Sequence, residues 1–445
     1  MQDRLKPRAL SRLVRVLGPI VLLVAVALYV AAYLKWPSLV SQVDLLCYRF
    51  GALRVLDGQD LYSVGSTGNS QTMLFDYTPF AALAFLPLSG LGQSATLTVG
   101  LLVNALCVAY IIRRMLTVAG VTKSAGLWAL TALLTGVVVW VEPVRLSLQL
   151  GQINIVVMTI VIADVLAPAA RKWAGIGIGI AAGIKLTPAL FIIFLIATGR
   201  RRAAATATAT FVGTVVAGFA LLPADSRFFW LQGGFHDVRR ISSDPLANTS
   251  LRGLLLRLHW LTGWETVASA VLAVVAVALA TMAWRRGQVI LAVAIVGMGT
   301  AAVSPFSWSH HWVWFVPLLV HLGLRAYRDR SRGAAAALWL IAACFGGWFV
   351  ASTSSPPQAG LLSLRHPGLW DQLLPAAYLF LFLLVLAVSA YTFRRNQSWQ
   401  QESPRHASSP SLSATAAMTK PAMGSAQDQP RTLFSSSPTS STADR

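Results

Sequence analysis

Asp44 is the residue in this chain best placed to do chemistry. The apolar run 14–34 holds no carboxylate, ends in Lys35-Trp36-Pro37 and is followed by Val43-Asp44-Leu45-Leu46. Only 16 of the 445 residues are Asp or Glu. A carboxylate between apolar neighbours, just past a membrane-length run, is costly unless it is hydrated, paired or used. At a membrane–water boundary it can take a proton from a hydroxyl such as that of a sugar. Capping of a helix over 45–56, or pairing with Arg49, competes with that role.

Other polar groups follow at intervals. Asp57-Gly58-Gln59-Asp60-Leu61-Tyr62 reads as a turn. Phe75-Asp76-Tyr77-Thr78-Pro79-Phe80 sets a carboxylate and an amphipathic ring ahead of a helix begun by Pro79, with capping by Asp76 as the plainer role. Pro143, Arg145, Gln149, Gly151, Gln152 and Asn154 lead into an apolar run, where amides cost energy unless bonded. Bonding between helices would satisfy them equally well. Lys185, in Gly183-Ile184-Lys185-Leu186-Thr187-Pro188, lies between two apolar stretches. An ammonium there either meets an anion or snorkels to the interface.

The densest cluster is Ser304-Pro305-Phe306-Ser307-Trp308-Ser309-His310-His311-Trp312. Its two imidazoles could hold a phosphate. Trp308, Trp312 and Trp314 could pack on sugars or anchor in the interface. Adjacent helical residues point apart, so one histidine is expected to act. No Cys neighbour or His/Glu spacing accompanies the pair, and no metal site is expected.

These groups need a scaffold, and the composition says which kind. The chain is 56% hydrophobic and 12% charged, against about 25% charged in soluble domains. Its apolar runs are continuous rather than alternating, so the spans are expected to be helices. The first run is long, lacks a cleavage site and precedes further spans, so it reads as a span and not as a signal peptide. Cys47, Cys107 and Cys344 are scattered and suggest buried small hydrophobes. The net charge of +20 fits a positive inner face better than a nucleic-acid partner.

With Arg4–Arg15 inside, about 12 crossings follow, with both termini inside. The expected spans are 14–34, 96–112, 124–141, 152–166, 173–196 as two short crossings, 203–222, 266–284, 288–303, 312–324, 334–351 and 373–393. The irregular pieces 35–95, 142–151, the Lys185 turn, 223–262, 304–311 and 352–370 then all face outward. The domains expected are a basic N-terminus over 1–13, a transmembrane unit over 14–393, and a disordered inner tail over 394–445, rich in Ser, Pro and Thr.

Cations beside a lipid-facing outer cavity suit a lipid phosphate, and a carboxylate suits a hydroxyl acceptor. Together they suggest glycosyl transfer from a lipid-phosphate sugar. No Rossmann-like nucleotide fingerprint is visible. A transporter of lipid-linked sugars would also use polar groups at broken helices, but it usually shows paired repeats. A non-catalytic scaffold would leave Asp44 and His311 replaceable.

The motifs also carry a resemblance. Asp44 after the first span, Gly58-Gln59-Asp60-Leu61-Tyr62, Asp76-Tyr77-Thr78-Pro79, Gly151-Gln152-Ile153-Asn154, Lys185-Leu186-Thr187-Pro188 and Ser304 to His311 resemble the polyprenol-phosphate-mannose-dependent mannosyltransferases of actinobacteria, GT-C type enzymes of glycosyltransferase family 87. The resemblance covers about residues 14–393. The family's Tyr-Pro-Pro loop is Tyr77-Thr78-Pro79 here.

The resemblance implies an all-α GT-C-like bundle in the cell membrane, a polyprenyl-phosphate-mannose donor and a periplasmic site. It also implies α-1,2 transfer with inversion to a phosphatidylinositol mannoside; the lipomannan-branching enzymes are the near alternative. Its acidic residue after the first span maps to Asp44, the expected base. His310 or His311, with Lys185, would hold the leaving phosphate. Asp76, Tyr77, Arg145, Gln152, Asn154 and Trp308 are expected to line the substrate site. No metal or other cofactor is expected.

Overall fold

The computed structural model describes residues 7–65, 73–121, 125–168, 170–237, 247–260, 263–347, 350–351, 358–359 and 373–402. Residues up to Arg394 form one compact unit, and Arg395–Arg445 form a second. The first unit is a helical membrane bundle. Its helices are α1 (Pro7–Lys35), α2 (Val43–Leu56), α3 (Pro79–Ala84), α4 (Gln93–Val118), α5 (Ala125–Val138), α6 (Glu142–Leu150), α7 (Asn154–Val165), α8 (Ile176–Ile184) and α9 (Ala189–Ala197). There follow α10 (Arg201–Leu221), α11 (Pro223–Leu231), α12 (Leu251–Arg257), α13 (Glu265–Arg285), α14 (Val289–Val303), α15 (Phe315–Arg328), α16 (Arg332–Phe345) and α17 (Ala377–Glu402). The β structure among the described residues is a two-residue antiparallel pair, Val350–Ala351 with Gln358–Ala359, and an isolated bridge between Val141 and Gly346.

Five helices are long and apolar enough to cross a bilayer: α1 from Arg12, α4, α10, α13 and the stretch Leu374–Arg395. The bent pair α6 and α7 makes up to six. Further crossings would have to use shorter apolar helices such as α5, α14 and α16, so length alone does not reach the twelve expected. α1 and α13 show why the bundle belongs in lipid. They leave Leu23, Leu34, Val271 and Val274 exposed, and such faces are stable against acyl chains. By contrast α14 is buried along nearly its whole length, as a helix apolar on every side should be.

Two breaks matter for function. α6 ends at Gly151, whose φ of 70° is left-handed. A Cβ there would fall 2.7 Å from the Leu45 Cβ, so the turn needs glycine on both counts. The chain then re-enters as α7 at 117° to α6. The second break separates α8 from α9 at Lys185-Leu186-Thr187-Pro188, where Lys185 is extended. Two short crossings were expected over 173–196; the structure has one nine-residue helix on each side of this break.

The bundle has two chemically distinct ends. α7 carries Asn154 at its start and Asp164 ten residues on, about 15 Å away at the usual helical rise. Arg200 and Arg114 donate to the carbonyls of Val165 and Leu166 near the Asp164 end. The Asn154 end receives Lys185. Arg114 and Arg200 thus lie toward the end of α7 opposite Asn154. The last helix runs to Glu402, past the expected start of the tail at 394. Residues 403–445, on which the expectation of disorder chiefly rests, lie outside the described residues, as does almost all of the expected outer segment 352–370.

Candidate active site

Asp44 lies in the first turn of α2, buried. Gln42, in left-handed conformation, starts that helix and makes no side-chain cap, so Asp44 is not spent on capping. Its Oδ2 accepts from the Gln152 amide Nε2. Arg49, its other expected competitor, instead donates to the Leu91 carbonyl at 2.9 Å. Gln152 comes from the α6–α7 break, 108 residues away in sequence.

The contacts continue from there. Gln152 Oε1 accepts from the Tyr48 hydroxyl at 2.9 Å and the Tyr77 hydroxyl at 3.2 Å. Asn154 Nδ2 reaches the same oxygen at 3.3 Å. Lys185 Nζ donates to Asn154 Oδ1 at 2.8 Å and meets His311 Nε2 at 3.1 Å. The Lys185 ammonium also lies 5.4 Å from the centre of the Tyr77 ring, within cation–π range. Five of the expected residues besides Asp44 are therefore joined to it: Tyr77, Gln152, Asn154, Lys185 and His311. A pocket beside them is lined by Lys185, His311, Asn154, Thr187, Thr300 and Trp314. Trp314 can pack flat on α14 because residue 297 is glycine; a Cβ there would fall 2.1 Å from the indole.

The electrostatics differ along this line. Burial pushes the Asp44 carboxyl up to about 7, with Asp76 raising it further and Gln152 and Lys185 opposing the shift. A carboxyl near neutrality is well matched to general-base work. Burial, then Lys185, then His310, hold the His311 imidazole well below its usual range. The histidines were expected to supply positive charge to a phosphate. That direction favours the neutral form of His311, which leaves Lys185 as the cation of the pair.

The two histidines lie on a 3-10 turn, Ser309–Trp314, rather than on an α-helix, with their rings edge to face at 4.8 Å between centres. His310 is buried, its ring beside Trp308 at 6.2 Å, and neither of its nitrogens has a partner among the described residues. Its ring lies edge-on to that of His311, and its carbonyl accepts from Asn154 at 3.3 Å. Asp76 is exposed, and its charge acts on both Asp44 and Lys185. Trp308 packs on Phe306 with ring centres 5.1 Å apart. Arg145 bonds Gln149 at 2.8 Å, within α6, and makes no bond to the Asp44 group. Its guanidinium instead accompanies Glu142.

Two participants were not anticipated. Tyr48 sits one helical turn after Asp44 and was recognisable from that spacing. Glu142 is buried and accepts from Ser309 Oγ at 3.0 Å and from the Tyr378 hydroxyl of α17. It ties the histidine turn to α6. Its signal was the one that marked Asp44, an acid in an apolar setting. Among the described residues no three His, Cys, Asp or Glu side chains gather as a metal site would require.

The sequence has counterparts in known proteins. The profile of glycosyltransferase family 87 matches residues 75–305, a span that includes Gln152, Asn154 and Lys185. A polyprenol-phosphate-mannose-dependent alpha-(1-2)-phosphatidylinositol mannoside mannosyltransferase of Mycolicibacterium smegmatis is 32% identical over 78% of this chain and 83% of its own. A polyprenol-phosphate-mannose-dependent alpha-(1-2)-phosphatidylinositol pentamannoside mannosyltransferase of Mycobacterium tuberculosis is 34% identical over 77% of this chain and 79% of its own. No solved structure matches. A carboxylate linked through amides to a lysine, on a helical membrane scaffold, and relatives aligned along most of their length lead to one assignment: this chain belongs to glycosyltransferase family 87.

Proposed function

We propose that the protein is an inverting α-1,2-mannosyltransferase. It moves mannose from polyprenyl-phosphate mannose to a phosphatidylinositol mannoside, at the periplasmic face of the cell membrane. The relatives' names support the donor and acceptor, and Arg114 and Arg200 at the Asp164 end of α7 support the sidedness.

One observation carries the phosphate site. His311 Nδ1 faces the Trp308 N–H at 3.3 Å, while its Nε2 faces the Lys185 ammonium at 3.1 Å. A neutral imidazole accepts at one nitrogen and donates at the other. It cannot accept from both. With Nδ1 taken by the main chain, Nε2 carries a proton and points it at another donor. Two donors that converge without an acceptor suit an anion oxygen between them, and the leaving phosphate supplies one. Lys185 and the His311 N–H then stabilise the charge that develops as the glycosidic bond breaks. Asp44 takes the proton of the acceptor hydroxyl as that oxygen attacks from the opposite face of the sugar, which inverts the anomeric carbon.

The test uses purified protein in lipid nanodiscs. Polyprenyl-phosphate mannose with a phosphatidylinositol mannoside acceptor should give product, and a nucleotide sugar alone should not. In cells, a cysteine at Ser63 should react with an impermeant reagent and one at Arg332 should not. Transfer from the nucleotide sugar, or the reverse labelling, would refute the donor and the sidedness respectively.

A further inference from the structure

The link between Lys185 and Asp44 has a direction. An ammonium can only donate. Its 2.8 Å bond to Asn154 Oδ1 therefore fixes which end of that amide is oxygen. Asn154 Nδ2 then points its two protons at Gln152 Oε1 and the His310 carbonyl, both at 3.3 Å. The second amide is fixed in turn, because Asn154 Nδ2 can only donate and the atom it meets must be Gln152 Oε1, which the hydroxyls of Tyr48 and Tyr77 also reach. Tyr48 receives the Ile153 N–H at 3.4 Å, which leaves its own proton for Gln152 or Tyr77. Amide orientation is ordinarily ambiguous. Here a donor-only ammonium at one end orders Asn154 and, through it, Gln152, and Gln152 Nε2 must face Asp44.

We propose that Asn154 and Gln152 are positioning residues, a one-way amide relay that keeps Asp44 ionised and aimed, rather than the substrate-binding pair expected from the sequence. The proposal rests on the reading of Asp44 as general base. Both amides are buried; both Asn154 protons are already engaged, so that amide has no N–H left to grip a sugar, and Gln152 spends one of its two on Asp44. Each amide dipole points the same way, from cation to anion, and such chains reinforce one another. A carboxylate that receives an N–H is favoured in its charged form. The flipped amide would offer an oxygen and require a protonated Asp44, which cannot act as a base. One carboxylate oxygen is thus held, and Oδ1 is left for the acceptor.

The groups acting on Asp44 from its surroundings are Asp76, before α3, and Lys185, between α8 and α9. Tyr77, before α3, and Cys47 and Tyr48, on α2 itself, complete the set. Asp76 favours the protonated form and Lys185 the ionised form. The relay adds to Lys185.

The experiment is the pH dependence of kcat and of the acceptor KM for full-length enzyme in nanodiscs, comparing Gln152→Leu, Asn154→Leu and Tyr77→Phe with the wild type. In Gln152→Leu the acid limb of kcat should move up by about one pH unit, with KM within about threefold. Asn154→Leu and Tyr77→Phe should move it less, in the same direction. An unmoved limb with a KM raised tenfold or more would return both amides to substrate binding. Tyr77→Phe removes a single oxygen, so it remains informative if the leucine variants misfold. Infrared titration of the Asp44 carboxyl, assigned by its loss in Asp44→Asn, reads the same shift without turnover. If the wild type transfers no mannose from the lipid donor, the functional reading fails, while the infrared shift still decides the relay.

Discussion

Asp44 and Asp164 are both buried carboxylates on helices of this bundle, and they are satisfied in opposite ways. Asp164 accepts from the Gly175 N–H at 2.8 and 3.0 Å and from the Ile178 N–H at 2.9 Å. Gly175 reaches φ of 105°, which turns the first N–H groups of α8 onto the carboxylate. These donors are main chain and have nowhere else to go. Asp44 has one oxygen held by a side-chain amide. Its Oδ1 has no partner among the described residues. The first carboxylate is a clamp between α7 and α8. The second is held on one side and still able to take a proton on the other. Burial and charge are common to both, so neither property marks the reactive group. What marks it is hydrogen-bonding capacity left over.

The sharpest way to break this comparison is to remove each charge in turn. Asp44→Asn should lower turnover by about 10²-fold or more and leave thermal unfolding close to the wild type. Near-normal turnover in the folded variant would leave Asp76, exposed nearby, as the better base.

The next largest effect separates the two histidines. His311→Ala should slow transfer by roughly 10- to 1000-fold, since it loses a donor to the phosphate. His310→Ala should cost less in rate, because that ring packs on His311 but makes no hydrogen bond to a site group among the described residues. Single-turnover rates from bound donor measure this, and equal losses would show that the turn, not the His311 N–H, is what matters.

The smallest effect on activity belongs to the clamp. Asp164→Asn leaves one acceptor oxygen for the two N–H groups and should destabilise the protein by about 1–3 kcal/mol. Activity per folded molecule should hold. Chemical denaturation beside an active-site titration tests both halves, and a turnover loss matching that of Asp44→Asn would erase the distinction.

Much of the scaffold was readable because its causes are local. Gly151 allows the left-handed turn that splits α6 from α7, Pro79 begins α3 with Thr78 as its cap, and Lys185-Leu186-Thr187-Pro188 interrupts an apolar run. Continuous apolar stretches marked the long helices for the same reason. The number of crossings was less accessible, since short helices such as α5 and α14 complete a bundle only through their neighbours. The 3-10 turn carrying His310 and His311 was likewise read as a helix end, because its tight geometry depends on Glu142 and Tyr378, 236 residues apart.

The candidate site divides along the same line. An acid in an apolar setting is conspicuous in any sequence, and by that rule Asp44, Glu142 and Asp164 look alike. The sequence alone determined that such groups must be paired or used, because an unpaired charge in that setting costs too much. It could not say which. Asp164 meets donors 11 and 14 residues away, Glu142 meets Ser309 and Tyr378, and Asp44 meets an amide 108 residues away. Hydrogen bonds form between atoms a few ångströms apart, whatever their separation along the chain. Only the packed bundle decided which carboxylate was fully bonded and which kept an oxygen free.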